Sequence, residues 1–356
     1  MKRNKIFSAL LAISLLAGLA AGCSSQGSKP SDSPAPAPSA AAQPSQAPAD
    51  TAYRVAMVLP GYKNDAGWNQ SAYEGMTMAA EKYQIETALS EGVALADYET
   101  TLRDYAAQGY DMVICVGNEF SDAALAVAPD FPDTIYAVMN GNSAQAPNVG
   151  AYRFNTPQTG FLAGVLAAEY SKQNMVGVII GNTAPHMQDA AKAFEAGAKY
   201  INPDIQVLSG CAETMTDIAK GKEMAMAFIE QGADVICASA NSASLGAIEA
   251  SKEKGISHIG YISDQYDVAP DTVKASMIQS NQLMIFSIIE SGLDGSFTPE
   301  LHLFGINEGA ISISDFHGHD AELTSEQLAE IDSAVERVKD GSLKQAGILP
   351  KSSFEQ

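Results

Sequence analysis

Short apolar runs alternate with longer amphipathic stretches along most of this chain. Residues 54–59, 112–116, 135–139, 175–180, 207–208, 235–238, 258–262 and 274–278 form apolar runs of strand length. Helical patterns lie between them, at 71–83, 98–108, 160–171, 188–200, 218–231, 244–254 and 282–292. That alternation predicts right-handed crossover units and largely parallel sheets. Two similar phrases recur about 120 residues apart, Ala107-Gln108-Gly109-Tyr110-Asp111-Met112-Val113-Ile114-Cys115 and Glu230-Gln231-Gly232-Ala233-Asp234-Val235-Ile236-Cys237. Each reads as a helix end, a glycine stop, an acidic turn and a buried strand. The interval is too long for a solenoid and predicts two similarly built lobes.

The first strand runs into Gly61 to Tyr83, GYKNDAGWNQSAYEGMTMAAEKY. The stretch opens with turn-forming residues and becomes helical from Trp68 or Asn69. The capping-box spacing of Ser71 and Glu74 allows a slightly later start. In a parallel sheet, ligands sit beyond the carboxyl ends of the strands. This loop therefore places Asn64, Asp65, Asn69 and the single tryptophan, Trp68, at a candidate site. A flat ring flanked by hydrogen-bonding groups suits a heterocycle or a sugar face. The alternative is that Trp68 packs within its own lobe and Asp65 caps the helix.

The amino-terminal residues 1–23 read differently. Lys2, Arg3 and Lys5 make a basic head, 6–19 a short apolar core, and Leu19-Ala20-Ala21-Gly22-Cys23 a small-residue cleavage site. The apolar core is too short to span a bilayer. The segment resembles the lipobox of bacterial lipoproteins, which implies lipidation of Cys23. Residues 24–50 are rich in Pro, Ala, Ser and Gln and cannot bury enough apolar surface to order, so a disordered tether is expected. Anchor and spacer together predict a protein held outside the cytoplasm at a membrane surface.

Charge then removes several function classes. The chain carries a formal net charge of −21, and removal of the signal leaves 18 basic residues against 42 acidic ones, near −24. Nucleic-acid binding needs clustered basic groups, so that partner is excluded. Cys115 and Cys237 lie in apolar runs and, with Cys211, are expected as free thiols and not as a disulfide framework. No nucleophile elbow, phosphate-binding glycine loop or zinc-protease helix is present, so no enzyme and no cofactor are expected. Asp315-Phe316-His317-Gly318-His319-Asp320 looks like a metal cluster in composition, but a solvated loop is the reading adopted, with no metal.

Several phrases, in order, carry a resemblance. They are Asn64-Asp65-Ala66-Gly67-Trp68-Asn69-Gln70-Ser71 with Glu74-Gly75, Asn148-Val149-Gly150 to Leu162-Ala163-Gly164-Val165, and Phe194-Glu195-Ala196-Gly197-Ala198-Lys199 with Asn202-Pro203. Lys220-Gly221-Lys222-Glu223, Gly232-Ala233-Asp234-Val235-Ile236 and Asp264 complete the set. From residue 53 to the end the chain resembles the basic membrane protein family of extracytoplasmic lipoproteins, the nucleoside-binding components of ABC importers. The resemblance implies an α/β fold of the type I periplasmic-binding-protein kind, two Rossmann-like lobes joined by three crossing strands, with ligand in the cleft. The implied parts are a signal peptide at 1–22, a tether at 23–51, one lobe from 52–155 plus 280–306, and a second from 156–279 plus 307–356. Hinges are then expected near 154–156, 279–281 and 305–308.

Residue by residue, the resemblance places Trp68 as the ring that stacks on a purine, flanked by Asp65 and Asn69. It puts Asn118 and Asp122 in a loop facing the cleft, Met215 at the position of a second aromatic, Asn241 in the loop after the 235–238 strand, and Asp264 on ribose hydroxyls. Three positions depart from the family pattern: Leu59 replaces a frequent aspartate, Gln279 stands near a frequent lysine, and Met215 supplies sulfur in place of a ring. The ligand is thus left open among a purine nucleoside, a nucleobase, a different heterocycle and a sugar-like molecule. Asp264 can instead start a turn, and Asn118 and Asp122 can cap the following helix. The implied partners are a small molecule, an ABC permease and the membrane, with the chain a monomer. The rival function is a sensor that reports the same ligand to a membrane partner.

Overall fold

The computed structural model describes residues 52–64 and 68–355, within one compact unit. Cys23, the signal segment, the tether and Asp65 lie outside the described residues. One six-stranded sheet is built from β1 (Arg54–Val58), β2 (Glu86–Ser90), β3 (Met112–Cys115), β4 (Ile135–Met139), β5 (Val149–Phe154) and β11 (Leu301–Phe304), in the order β2-β1-β3-β4-β5-β11. All its neighbours are parallel. The second sheet uses β6 (Met175–Ile180), β7 (Gln206–Cys211), β8 (Val235–Ser239), β9 (Ser257–Ile262), β10 (Val273–Gln279) and β12 (Ile311–Ile313), ordered β7-β6-β8-β9-β10-β12. Only β12 runs antiparallel, along β10. Apart from that reversal, the second sheet repeats the order of the first. This is the two-lobed α/β architecture of type I periplasmic binding proteins.

The repeated phrases explain the pairing. In each lobe a helix, α2 (Tyr98–Ala107) or α6 (Ile218–Glu230), ends just before a wholly buried strand, β3 or β8. Those strands sit third in their sheets and carry Cys115 and Cys237, both free thiols. Helices cover both faces, so a continuous apolar run such as the Met112–Cys115 strand is satisfied on either side.

Helix boundaries follow local chemistry. α1 (Trp68–Tyr83) already includes Ser71, which therefore lies in its first turn and does not cap it. α4 (Thr156–Tyr170) starts earlier than the apolar pattern suggests because Pro157, pre-set in φ, occupies its first turn. The Asp217 carboxylate caps α6 by accepting from the amides of Ala219 and Lys220. α7 (Ala243–Lys254) stops at Gly255, which takes a left-handed φ of 66°. β2, β5, β11, β12, α3 (Ser121–Val127), α9 (Ser325–Lys339) and α10 (Ser342–Gln345) are strands and helices that the apolar runs leave out. β2 is a half-exposed edge strand reading ETALS, and β5 is interrupted by Gly150 and Arg153, so neither carries a continuous apolar signal.

The chain passes between the sheets three times: from β5 into α4 through Asn155, from β10 into α8 (Asn281–Leu293) through Ser280, and from β11 to β12. α4 lies against α5 (Pro185–Ile201) and the second sheet, whereas α8 returns to pack on α1. The α4–α5 contact is close because a Cβ on Gly164 would stand 2.0 Å from the Phe194 carbonyl oxygen, and one on Gly197 1.9 Å from that of Phe161. A single apolar cluster containing Val55, Ile114, Val178 and Ile259 runs through both lobes.

Candidate functional site

A cavity of about 1070 Å³ opens where the carboxyl ends of both sheets face each other. Its walls come from positions that follow strands, as the parallel topology requires. Trp68 follows β1, Asn140 β4, His186 β6, Met215 β7, Asn241 β8 and Asp264 β9, while Phe154 and Gln279 end β5 and β10. Trp68, Met215, Asn241, Asp264 and Gln279, five of the expected residues, are thus brought together.

Trp68 is half-buried at the first turn of α1, its indole N–H reaching toward the Val116 carbonyl at 3.4 Å. The Asn281 amide donates to the Trp68 carbonyl, while Asn281 Oδ1 is buried without a hydrogen-bond partner among the described residues. Glu74 closes this end, accepting from Gln70 at 2.9 Å and from Gln282 at 2.5 Å. The Met215 sulfur lies where a Cβ on Gly181 would be, 2.1 Å away, so glycine at 181 makes room for the thioether. Asn241 holds a φ of 44°, which asparagine tolerates better than most residues, and its carbonyl accepts from Ser244. Gln279 donates to the Thr159 hydroxyl at 3.1 Å.

Asp264 lines the cavity but is already engaged. One oxygen pairs with His317 Nε2 at 2.7 Å, and the other accepts from the Tyr266 amide at 3.1 Å and lies 3.5 Å from the Ser276 hydroxyl. His317 in turn stacks on Tyr266 with ring centroids 4.0 Å apart. His319 instead pairs with Glu322 and the Pro270 carbonyl, so the two histidines of the 315–320 loop serve different partners. No group of three metal-ligating side chains gathers among the described residues.

Asn118 and Asp122 do not line the cavity. Both are exposed; Asn118 starts a short turn whose carbonyl accepts from the Ser121 hydroxyl at 2.7 Å, and Asp122 sits in the first turn of α3. Asn69 is also outside the lining, with its amide placed where a Cβ on Gly61 would fall.

The cavity also contains groups that the apolar pattern passed over. Arg153, 5% exposed on β5, donates through Nη1 to the carbonyls of Asn140 and Gly141 at 2.7 and 3.0 Å and to Asn142 Oδ1 at 2.6 Å. Phe354, near the chain's end, lies under the guanidinium at 3.7 Å. Burial pulls the guanidinium down to about 10, opposed by the charge of Asp189. His186 is lowered from the ordinary imidazole value, by burial first and by Arg153's charge second. Burial raises the pKa of the Tyr261 hydroxyl, and the neighbouring Thr159 and Ser239 side chains oppose that rise. One signal for Arg153 was available: a lone charge inside Val149-Gly150-Ala151-Tyr152-Arg153-Phe154 is out of character for a buried strand.

Comparison with known proteins agrees with this geometry. The chain is 30% identical over 266 residues to basic membrane protein A of Borreliella burgdorferi, covering 72% of this chain and 78% of that one. It is 28% identical over 302 residues to a purine-binding protein of Brucella abortus, covering 83% and 84%. Among solved structures it superposes on a transcriptional activator of the comK gene from Bacillus halodurans, with a TM-score of 0.73, 22% identity and coverage of 83% and 99%. A solute-binding protein of an ABC transporter system from Aeropyrum pernix K1 gives a TM-score of 0.67 at 20% identity, covering 81% and 92%. A family model described as ABC transporter substrate-binding protein, PnrA-like, matches residues 52–341. The chain therefore belongs to the Bmp family of PnrA-like ABC transporter substrate-binding proteins.

Proposed function

We propose that this protein captures a purine nucleoside or nucleobase in the cleft between its lobes and delivers it to an ABC importer. The observation that carries the reading is the cavity itself. It is walled by both lobes at the carboxyl ends of their strands, with the Trp68 indole and the Met187 and Met215 thioethers among hydrogen-bonding side chains. Such a wall holds a flat ring by its faces and reads its edges by hydrogen bonds. A relative bearing the name purine-binding protein supports the same class of ligand. Asp264 keeps acceptor capacity beside its His317 contact, because a carboxylate offers about four acceptor directions, and that capacity suits a ribose hydroxyl.

The protein works outside the cytoplasm, held to the membrane by lipid on Cys23 through the 24–50 tether, and binds its permease as a monomer. The two lobes correspond to 52–155 plus 280–306 and 156–279 plus 307–356. No helix among the described residues is long and apolar enough to cross a membrane. Cys23→Ala should release the protein from membranes; a variant still sedimenting with membranes in high salt would refute the anchor. A single acyl chain binds only marginally, so the anchor requires several chains.

The ligand is tested by mass spectrometry of small molecules released from the denatured protein, with titration by adenosine, guanosine, inosine, adenine and cytidine. A folded, ligand-free protein silent to all five refutes the purine reading. A second reading, a sensor using the same cleft, is favoured by a Bacillus subtilis relative, 29% identical, named as a transcriptional activator. The net charge of −21 opposes direct contact with DNA. A partner isolated by cross-linking decides between them: a permease supports transport, a signalling protein the sensor.

A further inference from the structure

Among the described residues, three charged side chains of fixed sign line the cavity: Glu74, Asp264 and Arg153. Each oxygen of the two carboxylates has a protein partner, Gln70 and Gln282 at Glu74, His317 and the Tyr266 amide at Asp264, with room for a further bond. Arg153 is satisfied at one nitrogen only. Its hydrogen bonds all leave from Nη1, and Nε and Nη2 have no partner among the described residues. A guanidinium carries five N–H donors in a fixed fork, so a planar pair of donors stays available. The fork is held in place from three sides. The 140–142 turn binds Nη1, the Phe354 ring covers one face, and Asp189 supplies the nearby negative charge. Asp189 is itself fixed, accepting from the amide and hydroxyl of Ser353 at 2.7 Å each. His186, kept toward its neutral form by burial and by this same cation, adds no competing charge.

We infer that Arg153 makes the cavity selective for 6-oxopurines over 6-aminopurines. The inference rests on the purine reading proposed above. A buried charge with unused donors is costly, and a ligand acceptor relieves that cost. Hypoxanthine and guanine present two adjacent acceptors, O6 and N7, which match a guanidinium fork. Adenine presents an amino donor beside N7 and sets donor against donor. The match is the one by which arginine tells guanine from adenine in a nucleic-acid groove, where it is worth about 1–3 kcal/mol, or roughly 5- to 150-fold.

Calorimetric titration of the wild-type protein with inosine, adenosine and 7-deazainosine tests this without a substitution. Inosine should bind about 5- to 150-fold tighter than adenosine, and removal of N7 should cost inosine much of that advantage. Arg153→Met, checked for folding by its thermal transition, should bring the inosine-to-adenosine ratio toward one. Wild-type protein that binds adenosine as tightly as inosine overturns the inference and leaves the purine reading standing. So does an Arg153→Met variant that weakens both nucleosides equally. Protein that binds no purine nucleoside or base overturns both.

Discussion

At the scale of single residues, Trp68 is the most direct reporter. It is the only tryptophan in the chain and stands half-buried in the cavity wall, so its emission isolates this corner from thirteen tyrosines. A stacked purine should quench or shift that emission, and Trp68→Ala should weaken binding more than tenfold while Trp68→Phe keeps most of it. Unchanged spectra at saturating purine would assign the indole to packing. Asp264→Ala should weaken a nucleoside more than its free base by about 1.5–3 kcal/mol, since charge-assisted bonds to hydroxyls are lost; equal weakening would confine Asp264 to its contact with His317. His258 gives a pH dependence. It is fully buried, its Nδ1 faces Ser251 at 3.2 Å, and burial depresses its pKa to about 3. The unfolded chain takes up this proton near pH 6.5, so the contribution is complete above that value and falls as pH drops toward 3. The loss is about 1.4 kcal/mol per pH unit, or on the order of 2 kcal/mol by pH 5. Denaturant unfolding at pH 7.5 and 5 should show that drop, and His258→Gln should reduce it. Trp68 was legible as a lone ring in a turn-rich loop after an apolar strand, whereas Asn241 and Asp264 entered only through the family resemblance. Arg153 was hidden because a charge inside a strand weakens the very pattern that locates the strand.

At the scale of elements, glycines separate two kinds of cost. Gly197→Ala places a Cβ 1.9 Å from the Phe161 carbonyl oxygen, backbone that cannot step aside without parting α4 from α5. A loss of about 1–3 kcal/mol or more is expected. Gly255→Ala meets nothing within 4 Å and costs only the strain of its 66° φ, about 1–2 kcal/mol. Chemical denaturation of the two variants compares them, and a smaller loss at Gly197 would contradict the packing account. Strands of continuous apolar residues, such as the Val235–Ser239 strand, were visible because burial on both faces demands that composition. Edge strands escape the same test. β2 is half-exposed and β12 only three residues long, so their positions come from pairing with neighbours and not from their own sequence.

At the scale of the molecule, the lobes are joined by three passages of chain, and a ligand that touches both walls favours their approach. We expect rotation about residues 154–156, 279–281 and 305–308, seen by small-angle scattering as compaction on saturation with the bound ligand; unchanged dimensions would exclude it. The repeated 107–115 and 230–237 phrases made the doubling of the fold legible, but not which late segments complete each sheet. Those segments have a consequence for how the protein is made. The sheet begun by Arg54 is closed by β11 at Leu301–Phe304, and α1 finds its partner only in α8 at Asn281–Leu293. A chain still emerging from the ribosome therefore carries a first lobe with an open strand edge at β5 and an α1 face at Gly75 not yet covered by Gln282 and Ile285. Its second sheet likewise waits for Ile311–Ile313. Contacts of such long sequence separation form late, so neither half matures in sequence order. The nascent chain stays incomplete until nearly all of it has been synthesised.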